Sequence, residues 1–168
     1  MKPDLFWIPG PWSGRLALVM RPRGGDWLED ELSGWRNAGV DTLVSLLDDA
    51  ETAEFGLQRE GEFAEAAGIG FISFPICDRS VPDSAAAARL LLSKLTSNLE
   101  SGRNIAIHCR QGIGRSALIA AAVLVTSGMP PDEAIRVVST ARGRTTPETQ
   151  AQIEWIRQMA ADSPVAAL

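Results

Sequence analysis

The stretch Ile105-Ala106-Ile107-His108-Cys109-Arg110-Gln111-Gly112-Ile113-Gly114-Arg115-Ser116 decides the fold, because it passes from a short apolar strand through a glycine-bearing turn directly into a helix. Asn104 to His108 reads as a central buried strand, and Ser116 to Val125 is apolar all round, as a helix in the middle of a domain would be. Upstream, the same alternation recurs. Leu5 to Ile8 and Leu16 to Met20 read as an antiparallel pair at a sheet edge, Thr42 to Leu47 as a buried parallel strand and Ile69 to Phe74 as another. Helical spacing marks Trp27, Leu28, Leu32 and Trp35, with Asp26 as the expected cap and Gly39 as the stop. Further helices are expected over Asp49 to Phe55, Gln58 to Ala67 and Ser84 to Glu100, then from Pro130-Pro131 to Arg142 and from Pro147 to Met159. The order predicts an α/β fold, a central, mostly parallel twisted sheet flanked by helices. One domain is expected over residues 1–162, with a frayed tail over 163–168.

Composition narrows the function classes. The 168 residues suit one core. Sixteen Lys and Arg against 21 Asp and Glu give a net charge of -5, so no global basic field draws the chain to nucleic acid or anionic lipid. No apolar run reaches the roughly 18 residues of a membrane span, and the first residues do not read as a signal peptide, so a cytoplasmic, monomeric protein is expected. Two cysteines and one histidine are too few for a disulfide framework or a Cys/His zinc site, so neither metal nor cofactor is expected.

The loop Cys109 to Gly114 is an anion-binding design. The first N–H groups of the following helix lack intrahelical partners and sit in positive potential, and two glycines let the backbone fold round a tetrahedral anion. Arg115 adds a planar fork for two phosphoryl oxygens. A thiol at Cys109 facing these groups should ionise well below its free value, in the range of roughly 3.5 to 7.5 seen at such sites, and act as a nucleophile. Ser116 can donate its hydroxyl to the sulfur. Two other readings compete: a small buried hydrophobe at Cys109, and a dinucleotide fingerprint at Gly112-Ile113-Gly114-Arg115-Ser116-Ala117. The first leaves the glycines and arginine unexplained, and the second needs a further strand ending in an acid where Pro130-Pro131-Asp132-Glu133 opens a helix.

The motif His108-Cys109, five residues, Arg115-Ser116 resembles the signature of the cysteine-dependent protein-tyrosine-phosphatase superfamily, in particular compact dual-specificity phosphatases similar to the cyclin-dependent-kinase-associated phosphatase. Residues 39 to 47 resemble the strand that opens the conserved half of that group, and 75 to 83 its general-acid loop. Glu148-Thr149-Gln150-Ala151-Gln152 resembles its water-positioning segment. The resemblance implies a phosphomonoester hydrolase acting on phosphorylated protein or peptide through a cysteinyl phosphate. The alternatives are a silent phosphate-binding module and a phosphatase of non-protein esters.

In that reading Asp78 is the acid and Asp83 the cap of the following helix. His108, Arg110, Gln111, Gly112, Ile113, Gly114 and Arg115 form the phosphate loop. Gln152 orients the hydrolytic water, and Arg79 and Arg110 either add charge at the pocket mouth or are plain solvated surface. The five tryptophans are expected to anchor the core. Cys77, next to Asp78, is a redox partner for Cys109 or, in the plainer reading, a packing residue facing the core.

Overall fold

The alternating apolar runs become five strands and seven α-helices in the computed structural model, which describes residues 3–162. The strands are β1 (Phe6–Ile8), β2 (Leu16–Val19), β3 (Thr42–Ser45), β4 (Gly70–Ser73) and β5 (Ile105–His108). The helices are α1 (Leu28–Asn37), α2 (Asp49–Glu54), α3 (Glu60–Ala66), α4 (Ala85–Glu100), α5 (Arg115–Thr126), α6 (Pro131–Arg142) and α7 (Gln150–Ala161). One sheet runs in the order β1-β2-β5-β3-β4, with β1 antiparallel to β2 and every other pair parallel. In this register Val19 and Ser45 both lie beside His108, so β2, β3 and β5 end level. The loops leaving them open on one edge of the sheet, where ligands bind in folds of this type.

Side chains alternate across each strand, and both faces are covered. Leu16, Leu18, Val44, Ile105 and Ile107 pack with residues of α4, α5, α6 and α7, whereas Val19, Leu43 and Ala106 pack with α1 and α3. Every residue of α5 from Arg115 to Val125 is buried. Each fully buried Leu or Ile there contributes about 1.5–3 kcal/mol, and together they fix the helix whose N-terminus carries the glycine-bearing loop.

Several local expectations need correction. Asp26 does not cap α1: it lies inside a 3₁₀ turn, Gly25–Trp27, whose Gly25 carbonyl accepts from the Leu28 N–H, so no side-chain cap is required. Asp83 is not the cap of α4 either. Ser84 stands at the cap, its hydroxyl accepting from the Ala87 N–H at 3.1 Å, one residue later than expected. The last helix begins at Gln150 rather than Pro147, because Thr149 and Gln152 form a capping box that sets the start. Of the tryptophans, Trp35 is buried, but Trp27 is 56% exposed with the Arg23 guanidinium 4.5 Å above its ring. The tail expected over 163–168 lies outside the described residues.

Candidate active site

At the end of β5 the chain turns through residues 109–114 into α5, and Cys109 sits at the floor of a cavity of about 180 Å³. Cys109, Arg110, Gln111, Gly114 and Arg115 line it from the loop, while Asp78, Arg79 and Glu148 form its other walls. The loop depends on Gly112, whose φ is +71° and where a Cβ would come within 2.8 Å of the Val19 carbonyl oxygen. Ile113 is buried and anchors the loop from below.

The thiol is set for ionisation. Burial alone pushes Cys109 up, but the Ser116 hydroxyl at 3.3 Å, the Ser116 N–H, the Arg115 charge and the Gly112 N–H together hold it below the ordinary cysteine value. Arg142, at the end of α6, supports this from outside: its Nε donates to the Gly112 carbonyl at 3.0 Å and its Nη2 to the Gln111 carbonyl at 3.1 Å. In a planar trans peptide the carbonyl and N–H point oppositely, so holding the Gln111 carbonyl outward turns the Gly112 N–H toward the sulfur.

Arg115 is fully enclosed at 1% side-chain exposure, yet three of its five N–H groups donate close hydrogen bonds and Asp78 pairs with its charge. Nη1 donates to Glu51 Oε2 at 2.7 Å and to the Ile76 carbonyl at 2.8 Å, and Nη2 donates to Glu51 Oε1 at 2.8 Å. Asp78 Oδ1 lies 3.2 Å from Nη2. Once Asp78 moves aside, the Nε and the second Nη2 hydrogens form a two-pronged edge suited to two phosphoryl oxygens. Glu51 reaches this position because Asp48 caps α2 in a capping box: the Asp48 side chain accepts from the Glu51 N–H at 2.8 Å, and the Glu51 carboxylate accepts from the Asp48 N–H at 3.1 Å. Burial pushes the Glu51 carboxyl up, but Arg115, the Asp48 N–H and Arg110 hold it below the usual value.

Behind the loop, His108 is completely buried. Its Nε2 is 2.6 Å from Glu60 Oε1 and its Nδ1 is 3.2 Å from the Cys109 carbonyl. Burial would pull the imidazole down, but the Glu60 charge and hydrogen bond, the Cys109 carbonyl and the neighbouring thiolate raise it above the ordinary histidine value. The imidazolium then donates at both nitrogens and pins the loop's first carbonyl.

The structure thus brings Cys109, Ser116, Arg115, Asp78, Arg110 and Gln111 together, with Gly112, Ile113 and Gly114 shaping the loop and His108 behind it. Arg110 and Arg79 do reach the mouth, where each is offset by acid: Arg110 by Glu51 and Glu54 at 3.5 and 3.3 Å, Arg79 by Glu148 at 3.5 Å. Gln152 stands apart from the cavity, and its expected contact with the hydrolytic water is corrected. It is fully buried, its Oε1 accepting from the N–H groups of Glu148 and Thr149 and its Nε2 donating to the Ser80 carbonyl at 3.1 Å. Cys77 is exposed, which removes the packing alternative, and it does not line the cavity that holds Cys109. The residues missed in the sequence are Glu51, Glu60, Arg142 and Glu148. Glu51 had a local signal in the capping-box pattern Asp48-Asp49-Ala50-Glu51, and Glu148 lay in the segment already singled out for Gln152.

Known proteins share this arrangement of elements. Cyclin-dependent kinase inhibitor 3 of Homo sapiens is 26% identical over 125 residues, covering 73% of this chain and 58% of the relative. Protein tyrosine phosphatase domain-containing protein 1 of Mus musculus is 32% identical over 129 residues, covering 71% of this chain and 17% of the relative. The chain spans little more than half the length of the first curated relatives it matches. A solved kinase associated phosphatase, with its catalytic-site cysteine replaced by serine, superposes with a TM-score of 0.86 at 22% identity, covering 96% of this chain and 98% of that one. Tk-PTP in its active form gives 0.79 at 28% identity, covering 96% and 99%. The family model described as "Polymorphic toxin system, DSP-PTPase phosphatase" matches residues 19–129, which takes in the sheet from the last residue of β2 onward and the whole thiol-bearing loop. With about two thirds of its length matched, the chain belongs to this family of dual-specificity, tyrosine-phosphatase-type phosphatases.

Proposed function

We propose that the protein hydrolyses phosphomonoesters on phosphorylated proteins or peptides in two displacements at phosphorus, with Cys109 as the nucleophile. The observation that carries this reading is the placing of Cys109 at the floor of a cavity shared with Arg115 and the N-terminus of α5, 3.3 Å from the Ser116 hydroxyl, surroundings that favour the thiolate. The phosphoryl group displaces Asp78 from Arg115 and takes the Nε and Nη2 edge. The sulfur pair then forms the S–P bond, the ester P–O bond breaks, and the departing oxygen takes a proton from Asp78. Water next attacks phosphorus, its proton passes to Asp78, and the S–P pair returns to Cys109 as thiolate. Ser116 stabilises that thiolate as it leaves. Both cysteines are free thiols, which supports action in a reducing compartment such as the cytoplasm.

The test is hydrolysis of an aryl phosphate with and without chelator, followed by profiling on phosphotyrosine, phosphoserine and phosphothreonine peptides. Chelator-independent hydrolysis with preference for phosphopeptides is expected. Phosphate binding with no hydrolysis of any ester would instead mean a silent binding module.

A further inference from the structure

Of the three large hydrophobic side chains that stand exposed among the described residues, two belong to the loop between β2 and α1: Met20 is 52% and Trp27 56% exposed. A single exposed apolar side chain needs no explanation, but these two line one groove of about 490 Å³ together with Arg21 and Arg23. The groove adjoins the phosphate loop. Val19 lies beside His108 in the sheet, and a Cβ on Gly112 would come within 3.6 Å of the Met20 nitrogen. At its other end the loop is pinned to α2, since a Cβ on Gly24 would lie 2.0 Å from the Phe55 carbonyl oxygen. Phe55 joins the two sites: its ring centroid is 3.7 Å from the Arg21 guanidinium carbon and 4.9 Å from that of Arg110, which lines the Cys109 cavity. These distances hold the two guanidiniums within about 9 Å of each other, roughly the span of three extended residues. Arg110 is offset by Glu51 and Glu54, and Arg23 by Glu31. Arg21 makes no ion pair among the described residues, and its guanidinium donates only to the Pro22 carbonyl at 3.4 Å. Asp4 and Asp30 also line the groove, so the selection of acid falls to Arg21 and not to the groove as a whole.

We propose that the loop from Met20 to Trp27 is the recognition surface for the substrate's own chain, taking an acidic residue within about three positions of the phosphorylated one at Arg21 and a large apolar side chain beyond it at Met20 and Trp27; this rests on the phosphopeptide reading above. The phosphoryl group in the Cys109 cavity anchors one point of the peptide, and the chain then passes over Phe55 to the groove. Held flat on that ring, the Arg21 guanidinium keeps its N–H edge free and loses little further freedom when a carboxylate arrives. With a net charge of -5 the protein as a whole repels acidic peptides, so the preference is made locally, by one unpaired cation beside the pocket.

Kinetics on matched phosphopeptides test this, each carrying the phosphorylated residue favoured in the profiling above. One set has Asp or Glu flanking that residue and the other Asn or Gln, each with either Leu or Ser beyond. Every rate is taken relative to aryl phosphate hydrolysis by the same protein, so that any loss of folded enzyme cancels. The wild type should favour the acidic peptides about twofold to fivefold in kcat/KM, the range of an exposed ion pair, with the difference in KM and shrinking at high salt. Arg21→Gln should abolish that preference and Arg21→Glu reverse it, whereas Trp27→Ser should remove the gain from leucine. Equal kcat/KM for acidic and neutral peptides in the wild type, or a preference that survives in Arg21→Glu, overturns the recognition surface while the phosphopeptide reading stands. Aryl phosphate turnover without hydrolysis of any phosphopeptide overturns that reading and this surface with it.

Discussion

Replacing Glu51 with glutamine separates the contribution of one buried acid to stability from its contribution to chemistry. The Glu51 and Arg115 side chains are 6% and 1% exposed and make two parallel hydrogen bonds, so water cannot take over when one partner is neutralised. The glutamine amide presents one oxygen to the guanidinium but turns N–H groups toward N–H groups on its other side. Removing one partner of such a pair costs about 3–5 kcal/mol. At about 2–4 °C per kcal/mol for a domain of this size, the melting temperature should fall by roughly 6–20 °C. Activity should fall further than stability explains, because Arg115 loses the contact that fixes its phosphate-facing edge. The assay is a thermal melt beside aryl phosphate kinetics taken well below the variant's transition. A Glu51→Gln protein melting within about 2 °C of wild type would refute the reasoning, since by the same conversion the pair would be worth no more than about 1 kcal/mol.

Four further outcomes are expected. His108 is raised above 6.5 in the folded state, so folding takes up protons: its stabilisation is full below about pH 6.5 and is lost as pH rises through the folded-state value. Denaturant melts across that window should show the decline, and His108→Gln should remove it. Arg142→Ala should raise the Cys109 pKa by freeing the Gln111 carbonyl, read as a shift of the pH profile of thiol alkylation toward higher pH, and an unchanged profile would reject the outward clamp. Asp78→Asn should lower turnover of a peptide substrate roughly 10²- to 10⁴-fold and remove the basic limb of the pH profile. Ser84→Ala should instead cost about 1 kcal/mol of stability and leave kcat unchanged.

The central features were legible because they are local. The strand, loop and helix from Ile105 to Val125 carry their own periodicity, glycines and helix start, and the cysteine and arginine fall within one short loop. The parallel sheet followed from apolar runs separated by helical stretches. What stayed hidden depends on partners distant along the chain: Glu51 meets Arg115, Glu60 meets His108 and Arg142 meets the Gln111 carbonyl only after the sheet has formed. An acid in a short helix looks like solvated surface until a buried cation is seen beside it. Gln152 shows the converse: the segment was recognised, but its alternation around a helix start put Glu148 in the cavity and turned Gln152 to the backbone. Both misplaced caps, at Asp26 and Asp83, lie within a residue or two of the observed helix starts, where a turn or a neighbouring hydroxyl can replace the acid.

Acid quench of the wild-type enzyme during turnover of an aryl phosphate, followed by peptide mapping, tests the covalent route at its centre. A single phosphoryl group on the Cys109 peptide, lost in Cys109→Ser together with all turnover, is the predicted result. Turnover that persists in Cys109→Ser, or phosphorylation on any other residue, would contradict it.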